Sequence, residues 1–239
     1  MRNFFSRRSA ITAALGLGAS LAAPSVAQAA SKRNSDHRSD RPESRKSATP
    51  TNDFTPENAA MLLIDHQIGT MSWTHSHDVE EVKKSALNLA KIATATEMPL
   101  VLTSSMEENI QGPLLPELEE IAPKAFADRI KRAGIVNAMH DENFAQAVRA
   151  TRRKKIIIAG ITTEVCVVFP VLQLLDEGYE VQVVTDASAS FTKIGDDAAL
   201  RRMEQAGAVI SSTAQVVSEL AVDWTTPRGQ ALAALLGLA

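Results

Sequence analysis

From residue 53 onward the chain alternates short unbroken apolar runs with longer stretches in which apolar residues recur every three or four positions. The first kind suits a strand covered on both faces of a parallel sheet; the second marks a helix with one buried face. Runs at 59–64 (AAMLLI), 99–103 (PLVLT), 155–159 (KIIIA) and 180–185 (EVQVVT) read as strands, with weaker ones at 125–130 and 208–211. Helical spacing covers 78–97, where Val79, Val82, Ala86, Leu89, Ala90 and Ala93 share one stripe, and also 114–121, 143–150, 163–177, 196–206 and 213–224. Such alternation implies parallel strands joined by right-handed crossovers. The predicted fold class is α/β: a three-layer α/β/α sandwich around a six-stranded, Rossmann-like parallel sheet of order 3-2-1-4-5-6. No internal repeat is visible.

The N-terminus has a different pattern. Three arginines and no acid precede an Ala/Gly-rich run at 10–23, followed by Pro24 and the small-residue site Ala27-Gln28-Ala29. This is the order of a secretory signal, and the adjacent Arg7 and Arg8 point to its twin-arginine form. The apolar run is shorter than the roughly 20 residues that a membrane span needs. Residues 30–52 lack large apolar side chains and read as a disordered leader. The expected organisation is a signal at 1–29, the leader at 30–52, one domain at 53–225 and a short apolar tail at 226–239, read as a subunit contact in preference to a frayed helix. A mature protein of this kind is expected in the periplasm or secreted, and not in the membrane.

Charge and cysteine usage narrow the function. The whole chain carries a formal charge of −3, but signal and leader hold nine of its 25 basic residues and three of its 28 acids, so the folded part is near −9. That argues against a nucleic-acid partner. A single Cys cannot close an internal disulfide. No glycine-rich phosphate loop is present, since GITTEVC lacks dinucleotide-fingerprint spacing.

In open α/β sheets ligands gather at the carboxyl ends of strands where the winding reverses, here between strands one and four. Asp65 ends the first strand, and Cys166 lies just past the fourth. An Asp there is also a common cap, and a Cys there is equally well a small buried apolar residue. Position alone leaves both readings open.

Together with their surroundings, however, these residues resemble the isochorismatase-like cysteine hydrolases, and most closely the YcaC-like branch. The resemblance is carried by AAMLLIDHQIG (59–69), GPLLPEL (112–118), the run from AGIVNAMHDENF through GITTEVCVVFP (133–170), EGYEVQVVTDASASF (177–191) and RMEQAGA (202–208). It implies a triad of Asp65, a basic residue and the nucleophile Cys166. The basic member in this branch is an Arg, which an ungapped count back from Cys166 places on Arg132 in preference to the adjacent Lys131. The resemblance also implies a non-proline cis bond at Ile161–Thr162, with the amides of Thr162 and Cys166 forming an oxyanion hole, and a homo-oligomer. A small-molecule, amide-like substrate is expected, with no cofactor and no metal.

On this reading Asp65 is the general base and Arg132 an electrostatic stabiliser. Lowering a thiol pKa by two units takes about 2.7 kcal/mol, within reach of one guanidinium in a dry cleft. Gln67, Asn137 and Lys131 are candidate substrate contacts, with Glu164 beside them. His66, His75 and His77 near Asp65 read as solvated loop residues rather than metal ligands. Pro170 has no N–H for the carbonyl of Cys166, which predicts a kink or a free carbonyl at the nucleophile's turn. Two rivals remain: vinyl-ether hydrolysis by the carboxylate without a thiol nucleophile, and a non-catalytic, redox-sensing protein on the same fold.

Overall fold

A computed structural model describes residues 54–237; the expected signal and leader lie outside the described residues. Six parallel strands form one sheet: β1 (Ala59–Ile64), β2 (Leu100–Ser105), β3 (Ile130–Arg132), β4 (Lys155–Gly160), β5 (Glu180–Val184) and β6 (Val209–Ser211), in the order β3-β2-β1-β4-β5-β6. Helices α1 (Ile68–Ser72), α2 (Val79–Ala95), α3 (Glu117–Ile121), α4 (Pro123–Ala127), α5 (Glu142–Ala150), α6 (Val168–Asp176), α7 (Lys193–Gln205), α8 (Thr213–Ala221) and α9 (Pro227–Leu235) complete it. None of them is long and apolar enough to cross a membrane.

Period-two alternation within buried strands divides the interior into two cores. Ala59, Met61 and Leu63 of β1, with Ile157 and Ala159 of β4, face α2, α8 and α9. Ala60, Leu62 and Ile64, with Ile156 and Ile158, face α5 and α6. Every residue of β1 is buried, as a central parallel strand requires. β1 and β4 run in register from Ala59 opposite Lys155 to Ile64 opposite Gly160. A Cβ on Gly160 would lie 2.7 Å from the Ile64 carbonyl oxygen and 2.9 Å from the Ile64 Cβ, so only glycine lets the two strand ends approach this closely.

The structure differs from the sequence reading in two places. The third strand is not at 125–130: Pro123 opens α4 at its first position, which suits a ring with fixed φ and no N–H, and β3 follows as three residues, Ile130–Arg132. Ala125 and Phe126 pack against the core from that helix rather than from a strand. The helix read at 163–177 begins as a wide π-helical turn, Thr163–Val167, and becomes regular only at Val168. Pro170 is therefore the third residue of α6, which runs straight on from the π-helical turn with the Val168 N–H donating to the Thr163 carbonyl. The departure from a regular helix thus lies in the turn just before this proline, which has no N–H to donate.

At the C-terminus, where the sequence offered a helix or a subunit contact, Pro227–Leu235 form α9, capped by Thr226, opened by Pro227 and packed on α8 and α2 of its own chain. Leu232 is 1% exposed, and the Leu235 carbonyl accepts from Asn88 Nδ2 at 3.2 Å. Truncating a fully buried Leu removes apolar contacts and leaves a cavity. Leu232→Ala should therefore lower unfolding free energy by about 2–4 kcal/mol in urea titration. A loss below about 0.5 kcal/mol would mean that α9 is peripheral.

Candidate active site

β1 and β4 are neighbours, and the crossovers leaving them run in opposite directions, so a crevice opens at their carboxyl ends. Asp65 is the first residue past β1 and adopts φ 56°, a left-handed conformation that Asp tolerates better than most residues. Its backbone is held on both sides: Asp65 N–H donates to the Thr103 carbonyl at 2.9 Å, and its own carbonyl accepts from Thr70 Oγ1 at 2.6 Å. Arg132 ends β3, two strands away, and crosses beneath β2 to reach it. Both oxygens of the Asp65 carboxylate accept from the same terminal nitrogen of Arg132. The remaining guanidinium donors are engaged by Thr103 Oγ1 at 3.0 Å and the Ile135 carbonyl at 2.6 Å. Both ion-pair side chains are fully buried.

The π-helical turn brings Cys166 into the same cavity as Asp65, close enough for thiol and carboxylate to act on one another's proton affinity. The Ile161–Thr162 peptide bond is cis. The Thr162 backbone lies near the sulfur and lowers its proton affinity in part. Its carbonyl collects the N–H groups of Val165, Cys166 and Val167 at 3.2, 2.8 and 3.2 Å. Of the two amides expected in the oxyanion hole, that of Cys166 donates to the Thr162 carbonyl within the turn.

Electrostatics also revise the expected resting state. Burial, followed by the charge of Asp65 and its hydrogen bond, pushes the Cys166 thiol far above its ordinary value; Arg132 and the Thr162 backbone pull it only part of the way back. Burial likewise raises Asp65, against the opposing Arg132. The guanidinium does not make a standing thiolate here. It holds a carboxylate whose raised proton affinity makes it a stronger base for the thiol beside it.

The other residues singled out from sequence lie elsewhere. Gln67 is fully buried and brackets the loops: its Nε2 donates to the carbonyls of Ser105 (2.9 Å) and Gly112, and its Oε1 accepts from Ser105 N–H at 2.8 Å. Asn137 caps a short 3₁₀ turn and donates to Gln173 Oε1 at 2.8 Å. Lys131 points away from Arg132, exposed and paired with Glu107 at 2.8 Å. Neither Gln67, Asn137 nor Lys131 lines the cavity beside Cys166. Glu164 is likewise outside it, its Oε1 accepting from Phe191 N–H at 3.2 Å.

That cavity holds about 190 Å³. Asp65, Thr162 and Cys166 form its reactive end; Trp73, Met106, Ile135, Val136, Val165 and Phe191 give it apolar walls, and Ser105 and Gln111 add polar groups. Trp73 and Phe191 stack with ring centroids 6.2 Å apart. Sequence reasoning missed these walls because they come from four separate loops. Only the scarcity of aromatic residues, 4% of the chain, could have singled out a Trp and a Phe in loops.

With fold and site in place, comparison with known proteins defines the class: the isochorismatase domain family matches residues 59–215, and the chain belongs to that family. It falls in the YcaC-like branch. It is 42% identical over 167 residues to the probable hydrolase YcaC of Escherichia coli (strain K12), spanning 70% of this chain and 79% of the relative. The crystal structure of the Escherichia coli YcaC gene product, described as an octameric hydrolase of unknown specificity, superposes with TM-score 0.72 at 40% identity, covering 77% of this chain and 90% of that one. YcaC from Pseudomonas aeruginosa, solved with hexane-2,5-diol and covalent acrylamide, gives TM-score 0.73 at 41% identity over 78% and 95% of the two chains.

The histidines near Asp65 do not form a common site, and no group of three or more potential metal ligands occurs among the described residues. His77 pairs with the buried Asp196 at 2.9 Å. His66, expected in a solvated loop, is instead fully buried, with Nε2 at 2.8 Å from the Ala187 carbonyl. Burial lowers its pKa from 6.5 to about 4, against the hydrogen bond to Ala187. Below pH 6.5 the unfolded chain takes up a proton that the folded chain refuses, so acidification from about 6.5 to about 4 removes stability, about 3 kcal/mol for this one group. Glu107 acts in a lower window: burial raises it, but donors from Arg129, Lys131 and Ser104 prevail and hold it at about 2, so its contribution is lost only below pH 4.5. Denaturation titrations between pH 4 and 7 should show the first slope, and His66→Gln should flatten it. An unchanged slope in the variant would assign the effect elsewhere.

Proposed function

We propose that this protein is a cysteine hydrolase that cleaves a small amide-like substrate through a thioester on Cys166. The observation that carries the reading is the carboxylate of Asp65, held by Arg132 and lining the same cavity as the only thiol in the chain. Asp65 accepts the thiol proton as sulfur attacks the carbonyl carbon, so thiolate forms only as the new bond does. The tetrahedral oxyanion is met by the Thr162 amide. Protonated Asp65 returns its proton to the departing amine, leaving a neutral thioester. Asp65 then deprotonates a water that attacks the thioester carbonyl, and the released sulfur regains a proton from Asp65. Arg132, permanently charged, donates no proton and keeps the carboxylate in place. The covalent acrylamide in the Pseudomonas aeruginosa relative fits a site that meets small carboxamides.

A second reading rests on the raised proton affinities of Asp65 and Cys166. A carboxyl that protonates readily suits vinyl-ether hydrolysis, in which the thiol is not a nucleophile. Incubation with a library of small amides, followed by intact mass measurement, separates the two. An acyl adduct on Cys166 is expected, with turnover abolished in Cys166→Ala and reduced about 10²–10⁴-fold in Asp65→Asn. Retained turnover in Cys166→Ala would overturn the thioester route.

We further propose that residues 1–29 direct export by the twin-arginine route, and that the mature chain forms a homo-oligomer, as the octameric relative does. Replacing Arg7 and Arg8 together by Lys should leave the protein unprocessed inside a bacterial host that has this pathway, as read by cell fractionation. Undiminished export of the double variant would overturn the signal assignment.

A further inference from the structure

We infer that Gln111 selects the substrate, its side-chain carbonyl accepting a hydrogen bond from the N–H of a compact, uncharged carboxamide. This rests on Cys166 being the group that meets a carbonyl-bearing molecule in the cavity, and it adds which molecules are admitted. Two buried polar atoms on cavity-lining residues have no hydrogen-bond partner among the described residues: Gln111 Oε1 and Thr162 Oγ1. A buried acceptor without a donor costs about 1–3 kcal/mol, so a site that keeps one is built for a molecule that donates. Gln111 Oε1 can only accept; the Thr162 hydroxyl can do either.

The placement of Gln111 is constrained rather than incidental. Its Nε2 donates to Met106 Sδ at 3.5 Å, which turns the amide so that the nitrogen is occupied and the oxygen is the end without a partner. Its backbone is clamped to the start of α1: Gly69 N–H donates to the Gln111 carbonyl at 2.8 Å, and Ile68 N–H donates to the Pro113 carbonyl at 3.0 Å. A Cβ on Gly69 would lie 1.8 Å from the Ile110 carbonyl oxygen, so this close approach requires glycine. The same loop is held from below by Gln67 through the Gly112 carbonyl. The bracket that keeps Gln67 out of the cavity thereby positions Gln111 at its edge.

Charge and volume restrict the rest of the ligand. Among the lining residues only Asp65 is charged, and Arg132 already neutralises it. A charged substituent would lose its hydration without gaining a counter-ion. The volume of about 190 Å³ lies below the range of about 300–1,000 Å³ typical of drug-sized ligand sites, so the molecule is small.

The test uses the full protein and electrophiles whose reaction needs no hydrolysis. In addition to an acrylamide, sulfur bonds to the β-carbon and the thiol proton ends on the α-carbon, so no further reactant is consumed. Second-order labelling of Cys166 is measured by mass for acrylamide, N-methylacrylamide, N,N-dimethylacrylamide and N-acryloylglycine, each divided by its rate with glutathione. Acrylamide and N-methylacrylamide, which keep an N–H, should exceed the dimethyl compound roughly five- to tenfold. N-acryloylglycine, which adds a carboxylate, should fall behind as well. In Gln111→Met, similar in size but without the acceptor, the preference for N–H should vanish; Gln111→Leu provides a second such variant. A preference that persists in both variants is steric and overturns the inference, as does equal labelling by the dimethyl compound in the wild type. Equal labelling by N-acryloylglycine overturns the exclusion of charge. Preference without turnover of any amide would uphold the inference while removing the hydrolytic reading; turnover without preference would do the reverse.

Discussion

A buried ion pair organises this molecule. Taking a carboxylate and a guanidinium out of water is costly unless each finds its full set of partners, and losing one partner strands the other. Arg132 meets that demand by distributing its donors among Asp65, Thr103 and Ile135, so the end of β3, the end of β2 and the turn past β1 are tied through one side chain. Thr103 is committed in turn: its hydroxyl donates to the Ile130 carbonyl at 2.7 Å while accepting from Arg132. The floor of the cavity is therefore a polar network inside an otherwise apolar layer, with the thiol of Cys166 lining the same cavity as Asp65.

Much of the fold was legible because it depends on burial. A strand covered on both faces must be apolar throughout, and β1 and β4 announce themselves for that reason; alternation with helical spacing then fixes parallel topology. Where local geometry competes with period, the sequence misleads. Ala125 and Phe126 look strand-like in isolation, but Pro123 starts a helix there and the true edge strand is three residues long. The packing of α9 could not be read because its partners, on α2 and α8, are remote in sequence.

The site was legible in part for a related reason. Asp65 and Cys166 follow strands one and four, whose ends topology alone brings together, whereas Arg132 was named only through the family resemblance. The polar residues beside them, Gln67 and Asn137, looked available only because their partners on other loops cannot be seen in one dimension. Thr103, Gln111 and the cavity walls were missed on the same account: their roles come from contacts and not from type. The sequence showed the sign of the charges beside the thiol but not how little water reaches them, and burial is the largest influence on its proton affinity.

β3 carries Lys131 and Arg132 in succession, and neighbouring residues of a strand face opposite sides. Shifting that edge strand by a single position against β2 would exchange the two cations, sending the guanidinium outward and bringing an amine that can lose its proton to the carboxylate. Insertion or deletion of one residue in the short connection after α4 would suffice. A protein of this architecture thus stands one indel away from swapping a fixed countercharge for an acid–base partner, with its sheet, its crevice and its sulfur left as they are.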